Sequence, residues 1–190
     1  MNKTDEELVK LCKQGNNTSF QELMQRYIKP VFNFTYQYVH STSEAEDITQ
    51  DTFFKSWKNI QKFKEGKTWK PWIFTIARNT ALDYIKKKKP ILFSELDNEQ
   101  DNILFADTLE DTGSLADQIF EDTQNIKELI IATGKLRPEY HSVLMLHYYQ
   151  ELSFEEIATV MNKPMNTVKS WHNRALKIVK KSLESFSAPK

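Results

Sequence analysis

The amino-acid sequence predicts an all-α protein with two helical domains, joined by an acidic linker, and a helix-turn-helix in the C-terminal domain. Only four glycines occur in 190 residues, and 27% of the residues are charged, which suits helices better than a turn-rich β fold. Apolar residues recur at helical spacing behind recognisable helix starts. The net charge is +6 over residues 1–90, −10 over residues 91–125 and +4 over residues 126–190. Two basic domains therefore flank an acidic segment.

Four helices are predicted in the N-terminal domain, residues 1–90. Three capping boxes indicate where the first three begin: Thr4 with Glu7, Ser19 with Glu22, and Ser43 with Glu46. Gly15 should end the first helix, and Pro30 should bend or split the second. After a loop over residues 62–68, a fourth helix is predicted over residues 69–88. Cys12, the one cysteine of the chain, should pack inside the first helix as a small apolar residue.

The acidic segment, residues 91–125, has no sustained periodicity and is predicted to be a linker. It holds ten acidic residues and no basic one. Its few apolar residues should dock onto the protein's own domains or onto a partner. In the C-terminal domain, residues 126–190, one helix is predicted from Ile126 and another from Arg137-Pro138-Glu139. The second should pack Val143, Leu144 and either His147 or Tyr148 inside.

The helix-turn-helix is predicted from the segment that follows. Ser153 and Glu156 form a capping box before a short apolar-faced helix, and Pro164 suits the first turn of the next helix. That second helix should bury Val168, Ala175 and Val179. Its opposite face carries the polar residues Thr167, Lys169, Ser170, Asn173 and Arg174. A motif of this kind places its second helix in the major groove of DNA.

A polar stripe runs along the predicted helix over residues 69–88. It comprises Thr75, Asn79, Asp83 and Lys86, flanked by Arg78 and Lys87. Amide and basic groups on a rigid helix suit contact with bases and phosphates. The alternative is structural, since lysines favour a helix C-terminus and Asp83 can pair with Lys87 along the helix. Four aromatic residues, Phe63, Trp69, Trp72 and Phe74, could stack on an unpaired base, although Trp72 and Phe74 suit a core better.

The third predicted helix has two contrasting sides. Its apolar side comprises Ala45, Ile48, Thr52, Phe53 and Trp57, and its acidic side comprises Glu46, Asp47, Gln50 and Asp51. The acidic side is either simply solvated or suited to a basic protein partner.

The sequence offers no positive sign of catalysis. Its four histidines have no metal-ligand spacing with each other or with Cys12, and no phosphate-binding glycine loop or nucleophile motif occurs. We therefore expect no catalytic residue, no metal, no cofactor and no small-molecule substrate. One cysteine and no apolar run of membrane-spanning length predict a soluble, cytoplasmic protein.

Three motifs together resemble those of a known family. Residues 44–53 (E-A-E-D-I-T-Q-D-T-F) resemble the A-E-D-hydrophobic-x-Q-acid-x-F signature of bacterial sigma factors. Residues 72–79 (W-I-F-T-I-A-R-N), with Asp83, resemble their W-L-x-x-I-A-R-N-x-x-x-D segment. Residues 152–158 (L-S-F-E-E-I-A) and 167–170 (T-V-K-S) resemble their region-four helix-turn-helix. With these three motifs in this order, the chain resembles an extracytoplasmic-function (ECF) sigma factor. The resemblance covers nearly the whole chain apart from the linker.

The resemblance implies partners and site residues. Core RNA polymerase would bind the surface of Glu46, Asp47, Gln50 and Asp51. The minus-ten promoter element would be read and melted by Arg78, Asn79, Asp83, Lys86 and Lys87, helped by the loop around residues 64–67. The minus-thirty-five element would be read by Thr167, Lys169, Ser170, Asn173 and Arg174. The linker would run near the RNA exit path, and an anti-sigma factor, often membrane-bound in this family, is a further expected partner.

Two positions depart from the family pattern. Trp171 and His172 stand where an arginine and a leucine are usual after T-V-K-S. We expect Trp171 to pack inward and His172 to point outward. The alternative function is a helix-turn-helix regulator that binds DNA without polymerase, but such a protein needs neither the acidic side of the third helix nor the polar stripe of the fourth.

Overall fold

The computed structural model describes residues 3–64, 66–88 and 136–187, and in these ranges the regular structure is helical. The helices are α1 (Asp5–Lys13), α2 (Asn17–Val39), α3 (Thr42–Lys58), a 3₁₀ turn (Ile60–Lys62), α4 (Trp69–Lys88), α5 (Pro138–Leu144), a π-helical segment (Met145–Tyr149), α6 (Phe154–Met161) and α7 (Met165–Ser187). The predicted linker over residues 91–125 and the predicted helix from Ile126 lie outside the described ranges.

The capping boxes of α1 and α6 are confirmed. The Thr4 hydroxyl accepts from the Glu7 backbone N–H at 3.2 Å, and the Glu7 carboxylate accepts from the Thr4 N–H at 2.8 Å. Ser153 and Glu156 form the same reciprocal pair at the start of α6. Each box satisfies two backbone donors that a helix start leaves without partners.

The capping boxes predicted for α2 and α3 are wrong. Asn16 caps α2, since its Oδ1 accepts from the Ser19 backbone N–H at 3.0 Å, and Ser19 itself is buried in the first turn. The N-cap of α3 is Ser41, which makes no side-chain cap hydrogen bond. Asn is as good a cap as Ser, so the upstream residue displaced the predicted one at α2.

The interior of the N-terminal domain is formed by the apolar sides of α1 to α4. Leu8, Leu23, Phe34, Ile48 and Phe74 are essentially inaccessible to solvent. Cys12 packs with them, as predicted, and its burial raises the pKa of the thiol to about 11. The thiol therefore stays protonated and unreactive at neutral pH.

Two details of this domain differ from the sequence prediction. Helix α2 runs continuously from Asn17 to Val39 with Pro30 inside it, so Pro30 does not split the helix. Trp57 is 37% exposed rather than buried, with its ring 4.9 Å from that of Phe20. Trp57 lies near the end of α3, where few neighbouring residues cover the inward side of the helix. The spacing of apolar residues in the sequence cannot show this lack of neighbours.

The described part of the C-terminal domain packs α5, α6 and α7 together. Arg137 is the N-cap of α5 and Pro138 its first residue, as predicted. Val143 is buried, as expected, and Leu144 and His147 are partly buried, whereas Tyr148 is exposed. Leu146, which was not predicted, is fully buried three residues after Val143, on the same side of the helix. Asn162 ends α6 in the left-handed conformation, with φ 50°. Asn tolerates this conformation better than most residues, which explains the sharp turn into α7.

The two domains pack directly against each other. One continuous cluster of buried side chains includes Phe34 and Phe74 of the N-terminal domain together with Val143, Ile157 and Met161 of the C-terminal domain. Helix α6 lies against α4, and α5 lies against the end of α2. The apolar side of the helix-turn-helix is therefore buried partly on its neighbour domain.

Candidate functional site

Helix α3 presents its acidic side to solvent. Glu46, Asp47, Gln50 and Asp51 are all exposed. The opposite side of the same helix is fixed in the core by Ala45 and Ile48, which are at most 1% exposed. This burial fixes the rotation of α3 about its axis, so the four polar side chains form one outward surface that a partner can contact without disturbing the core.

Helix α4 carries the polar stripe on its C-terminal half. Asn79, Asp83, Lys86 and Lys87 are exposed, whereas Thr75 and Arg78 are partly buried. The Thr75 hydroxyl donates to the Pro71 carbonyl at 2.7 Å, so it is occupied within the helix. The exposed amide of Asn79 can both donate and accept, and the lysines can neutralise phosphates.

The end of α4 is tied to the start of α3. Lys88 forms an ion pair with Glu44, and Lys55 of α3 donates to the Thr80 hydroxyl of α4 at 3.1 Å. These contacts connect the acidic surface of α3 with the cationic end of α4. The two candidate surfaces therefore belong to one rigid helix pair.

The aromatic side chains before α4 are not free to stack on a base in this structure. Trp69 and Phe74 are 0% exposed and Phe63 is 5% exposed. Trp72 is partly buried, and its ring centroid lies 4.9 Å from that of Trp69 and 5.2 Å from that of Phe63. The stacking role considered for Trp69 and Phe63 is therefore wrong for this conformation, because both rings are packed inside the domain.

The recognition helix of the helix-turn-helix is α7. Val168 and Ala175 are 0% exposed and hold the helix against α5 and α6. On the other side, Lys169, Asn173 and Arg174 are exposed, and Thr167 and Ser170 are partly buried. All five predicted polar residues thus lie on the first half of α7, which is the half that enters a major groove in this motif.

The unusual pair Trp171 and His172 packs in two different places. Trp171 is partly buried and its ring lies 6.5 Å from that of Tyr140, so it packs inward as predicted. His172 does not point freely outward. Its Nε2 lies 3.1 Å from the Tyr148 hydroxyl, and its ring contacts those of Phe154 and His147. Partial burial, partly offset by Asn173, lowers its pKa, so this imidazole is neutral at physiological pH.

A polar contact between the domains was missed by sequence reasoning. The hydroxyl of Tyr38, on α2, lies 2.7 Å from that of Ser142, on α5, and both residues are buried. Burial raises the pKa of the Tyr38 hydroxyl, while Ser142 and the nearby Arg78 act in the opposite direction. No spacing pattern could pair two residues 104 positions apart.

Within the residues that the structure describes, no three histidine, cysteine or acidic side chains are grouped so as to hold a metal ion. Among the same residues, no helix is both long and apolar enough to cross a membrane.

Comparison with known proteins gives two family matches that follow the two domains. The Sigma-70 region 2 family matches residues 23–91, and the Sigma-70, region 4 family matches residues 127–179. The chain is 29% identical over 182 residues to the ECF RNA polymerase sigma factor SigW of Bacillus subtilis (strain 168), covering 94% of this chain and 96% of SigW. It is 30% identical over 146 residues to the ECF RNA polymerase sigma factor SigM of the same strain, covering 76% of this chain and 82% of SigM.

A solved structure has the same fold. The sigma factor RpoE from Bartonella quintana, in complex with the anti-sigma factor NepR, matches with a TM-score of 0.64 at 19% identity. The match covers 87% of this chain and 96% of that one. At this identity the likeness concerns the fold alone.

Proposed function

The chain belongs to the ECF family of RNA polymerase sigma factors, and we propose which of its surfaces bind core RNA polymerase and which read promoter DNA. It is a sigma initiation factor that binds bacterial core polymerase and directs it to promoters. The observation that carries our assignment is that three helices of one compact core each turn a separate polar surface to solvent. We assign the first two surfaces to a domain over residues 1–90 and the third to a domain over residues 126–190, with residues 91–125 as linker.

The polymerase-binding surface is the acidic side of α3, formed by Glu46, Asp47, Gln50 and Asp51. Two observations support it: all four side chains are exposed, and the helix is anchored by a buried opposite side. A basic partner surface would gain electrostatic complementarity and fast association from these carboxylates.

Replacing Asp47 and Gln50 together by alanine tests this assignment. The double variant should lose binding to core polymerase, because the centre of the surface is removed while the buried side of α3 is unchanged. Glu6→Ala, an exposed acidic residue on α1, is the matched control and should bind normally. Co-purification with core enzyme measures both, and circular dichroism checks that the helices are intact. Normal co-purification of the double variant would refute the assignment.

We assign the minus-ten surface to α4, where Asn79, Asp83, Lys86 and Lys87 are exposed and Arg78 is partly buried. The Asn79 amide can form a paired hydrogen bond with an adenine edge, and Lys86 and Lys87 are suited to phosphates. Their location at the cationic end of a helix tied to α3 supports the proposal, since polymerase and DNA would then be held by one rigid unit.

The minus-thirty-five surface is the first half of α7, with Thr167, Lys169, Ser170, Asn173 and Arg174. The side chains of Lys169, Asn173 and Arg174 are exposed on the outer side of a helix whose inner side is buried. Arg174 is the residue best suited to guanine, because a guanidinium can bond both acceptors of that base.

The factor contributes binding and positioning, and we assign it no catalytic step, metal, cofactor or small-molecule substrate of its own. Because core polymerase and promoter DNA are cytoplasmic in bacteria, we place its action there. We also propose that an anti-sigma factor regulates it, which the solved sigma–anti-sigma complex of the same fold makes reasonable.

A further inference from the structure

A cluster of aromatic rings lies beside the recognition helix α7. It comprises His147 and Tyr148 of the π-helical segment, Phe154 of α6 and His172 of α7. The His147 ring stacks on that of Phe154 with centroids 4.7 Å apart, and the His172 ring lies 5.1 Å from the same phenylalanine. His147 Nδ1 lies 2.9 Å from the Leu152 carbonyl oxygen and donates to it, since a carbonyl can only accept. The position of His172 is therefore set by contacts from two other segments.

Tyr148 is the exposed member of this cluster. Its side chain is 57% exposed, yet its hydroxyl lies 3.1 Å from His172 Nε2. Its ring stacks on that of His172 with centroids 5.7 Å apart, and the His147 ring contacts it at 4.9 Å. An exposed tyrosine normally samples several rotamers, but these contacts hold the Tyr148 hydroxyl in one place at the protein surface.

The hydroxyl lies along one flank of the half of α7 proposed to read DNA. His172 comes one turn after Lys169 and directly before Asn173, and both of these side chains are exposed. An α-helix with its side chains is about 10–12 Å across and the major groove is about 12 Å wide, so a helix in the groove fills it. Side chains on the flank of such a helix then face the phosphates at the groove edge. With α7 in the groove, Tyr148 is placed to meet that backbone.

The direction of the hydrogen bond between Tyr148 and His172 decides whether a phosphate can be bound. If the hydroxyl donates to an unprotonated Nε2, its hydrogen is used. If instead Nε2 carries the hydrogen and donates to the Tyr148 oxygen, the hydroxyl hydrogen is free for another acceptor. A phosphate oxygen only accepts, so it selects the second arrangement and extends it into a chain of two hydrogen bonds in which each strengthens the other.

We propose that the Tyr148 hydroxyl is a further DNA contact, which donates to one backbone phosphate beside the minus-thirty-five element, and that His172 is its positioning residue. This inference rests on the proposed assignment of α7 as the minus-thirty-five reader. It gives a role to a departure from the family pattern, because the leucine usual at position 172 has no group that could hold the hydroxyl.

A contact of this kind has a distinct signature. Phosphate contacts fix the position of the protein without reading sequence, so loss of the hydroxyl should weaken binding to every sequence equally. Tyrosine is uncharged and displaces no counterion, so the slope of log affinity against log salt should stay the same. Tyr148→Phe, which keeps the ring and its packing, should weaken promoter binding about tenfold, because the lost hydrogen bond is made to a charged group.

Competition binding to promoter duplexes tests the proposal, with holoenzyme assembled from the full chain and bacterial core polymerase. Tyr149→Phe is the matched control, since Tyr149 is the adjacent tyrosine and is 71% exposed. His172→Leu removes the positioning group, and His172→Gln retains an amide that can donate to the Tyr148 oxygen. Circular dichroism checks that the helices of each variant are intact. A second set of duplexes carries an uncharged methylphosphonate in place of one backbone phosphate at a time.

Tyr148→Phe and His172→Leu should each lose affinity about tenfold on all sequences, and the two changes combined should lose no more than either alone. His172→Gln and Tyr149→Phe should bind nearly as the wild type does. One methylphosphonate position should weaken the wild type and have no further effect on Tyr148→Phe, which a merely structural role of the hydroxyl would not produce.

Normal binding by Tyr148→Phe, or a loss that adds to every methylphosphonate position, would overturn the DNA contact. Equal losses in His172→Gln and His172→Leu would overturn the positioning role. Arg174→Ala is measured in the same assay to separate this inference from the assignment on which it rests. If only Arg174→Ala loses affinity, the Tyr148 contact is wrong and the assignment of α7 stands. If neither Arg174→Ala nor Tyr148→Phe loses affinity, the assignment of α7 is wrong and the inference falls with it.

Discussion

Glu151 offers a stability prediction that can be worked out from one backbone angle. It lies between the π-helical segment and α6 with φ 56°, in the left-handed region. A residue with a side chain is about 1–2 kcal/mol less stable there than in the right-handed region, a penalty that glycine avoids. Glycine in turn adds about 0.4–1 kcal/mol of conformational freedom to the unfolded chain. Glu151→Gly should therefore raise the free energy of unfolding by a net ~0.5–1 kcal/mol.

Thermal unfolding followed by circular dichroism measures this change. For a chain of this size, the expected gain corresponds to a rise in Tm of about 1–4 °C. Glu151→Ala is the matched control: it removes the same exposed side chain but keeps the backbone penalty, so its stability should stay within about 0.5 kcal/mol of the wild type. If Glu151→Gly is no more stable than Glu151→Ala, the left-handed backbone conformation at residue 151 does not destabilise the folded chain as we infer.

Three further predictions concern the DNA-binding elements. Ser153→Ala should destabilise the chain by about 1 kcal/mol, because α6 loses its capping hydroxyl. Burial raises the pKa of Glu156, but hydrogen bonds from Ser153 and Thr68 and the nearby Lys70 outweigh it, so the pKa is lowered. The stability advantage of the wild type over Ser153→Ala in urea unfolding should therefore shrink as the pH falls below about 4.5. Between about pH 6 and about pH 8 it should be unchanged. Arg174→Ala should weaken binding to the preferred minus-thirty-five sequence by about 1–3 kcal/mol in a competition assay. An equal loss of affinity on all sequences would mean that Arg174 contacts only phosphates and no base. Replacing Lys86 and Lys87 together by alanine should reduce the slope of log affinity against log salt by about 2, and an unchanged slope would exclude phosphate contacts at both.

Local features of the fold could be predicted from the sequence wherever one interaction dominates. The Thr4–Glu7 and Ser153–Glu156 boxes formed as predicted, and in each of them both reciprocal hydrogen bonds are made. The capping box predicted at Ser19 did not form, because Asn16, three residues upstream, caps the helix instead. A pattern of the form S-x-x-E arises by chance within a first turn, and only the competition among nearby caps decides which residue is used.

Contacts between distant segments could not be predicted in the same way. The sequence indicated two domains, but the Tyr38–Ser142 bond depends on how complete domains fit together. The same limit applies to the exposure of Trp57 and to the ring contacts of His172, which depend on neighbours brought in by other helices. The candidate surfaces were easier to predict, because an exposed polar side follows directly from a buried apolar one on the same helix.

Promoter-specific initiation tests the central claim most directly. The purified chain is added to bacterial core RNA polymerase with a library of promoter fragments randomised at the minus-ten and minus-thirty-five positions, and the initiated transcripts are sequenced. A sigma factor that reads both elements should give initiation only with core enzyme present, and should enrich defined sequences at both positions. Enrichment that requires no polymerase, or initiation without sequence preference at either element, would contradict the account.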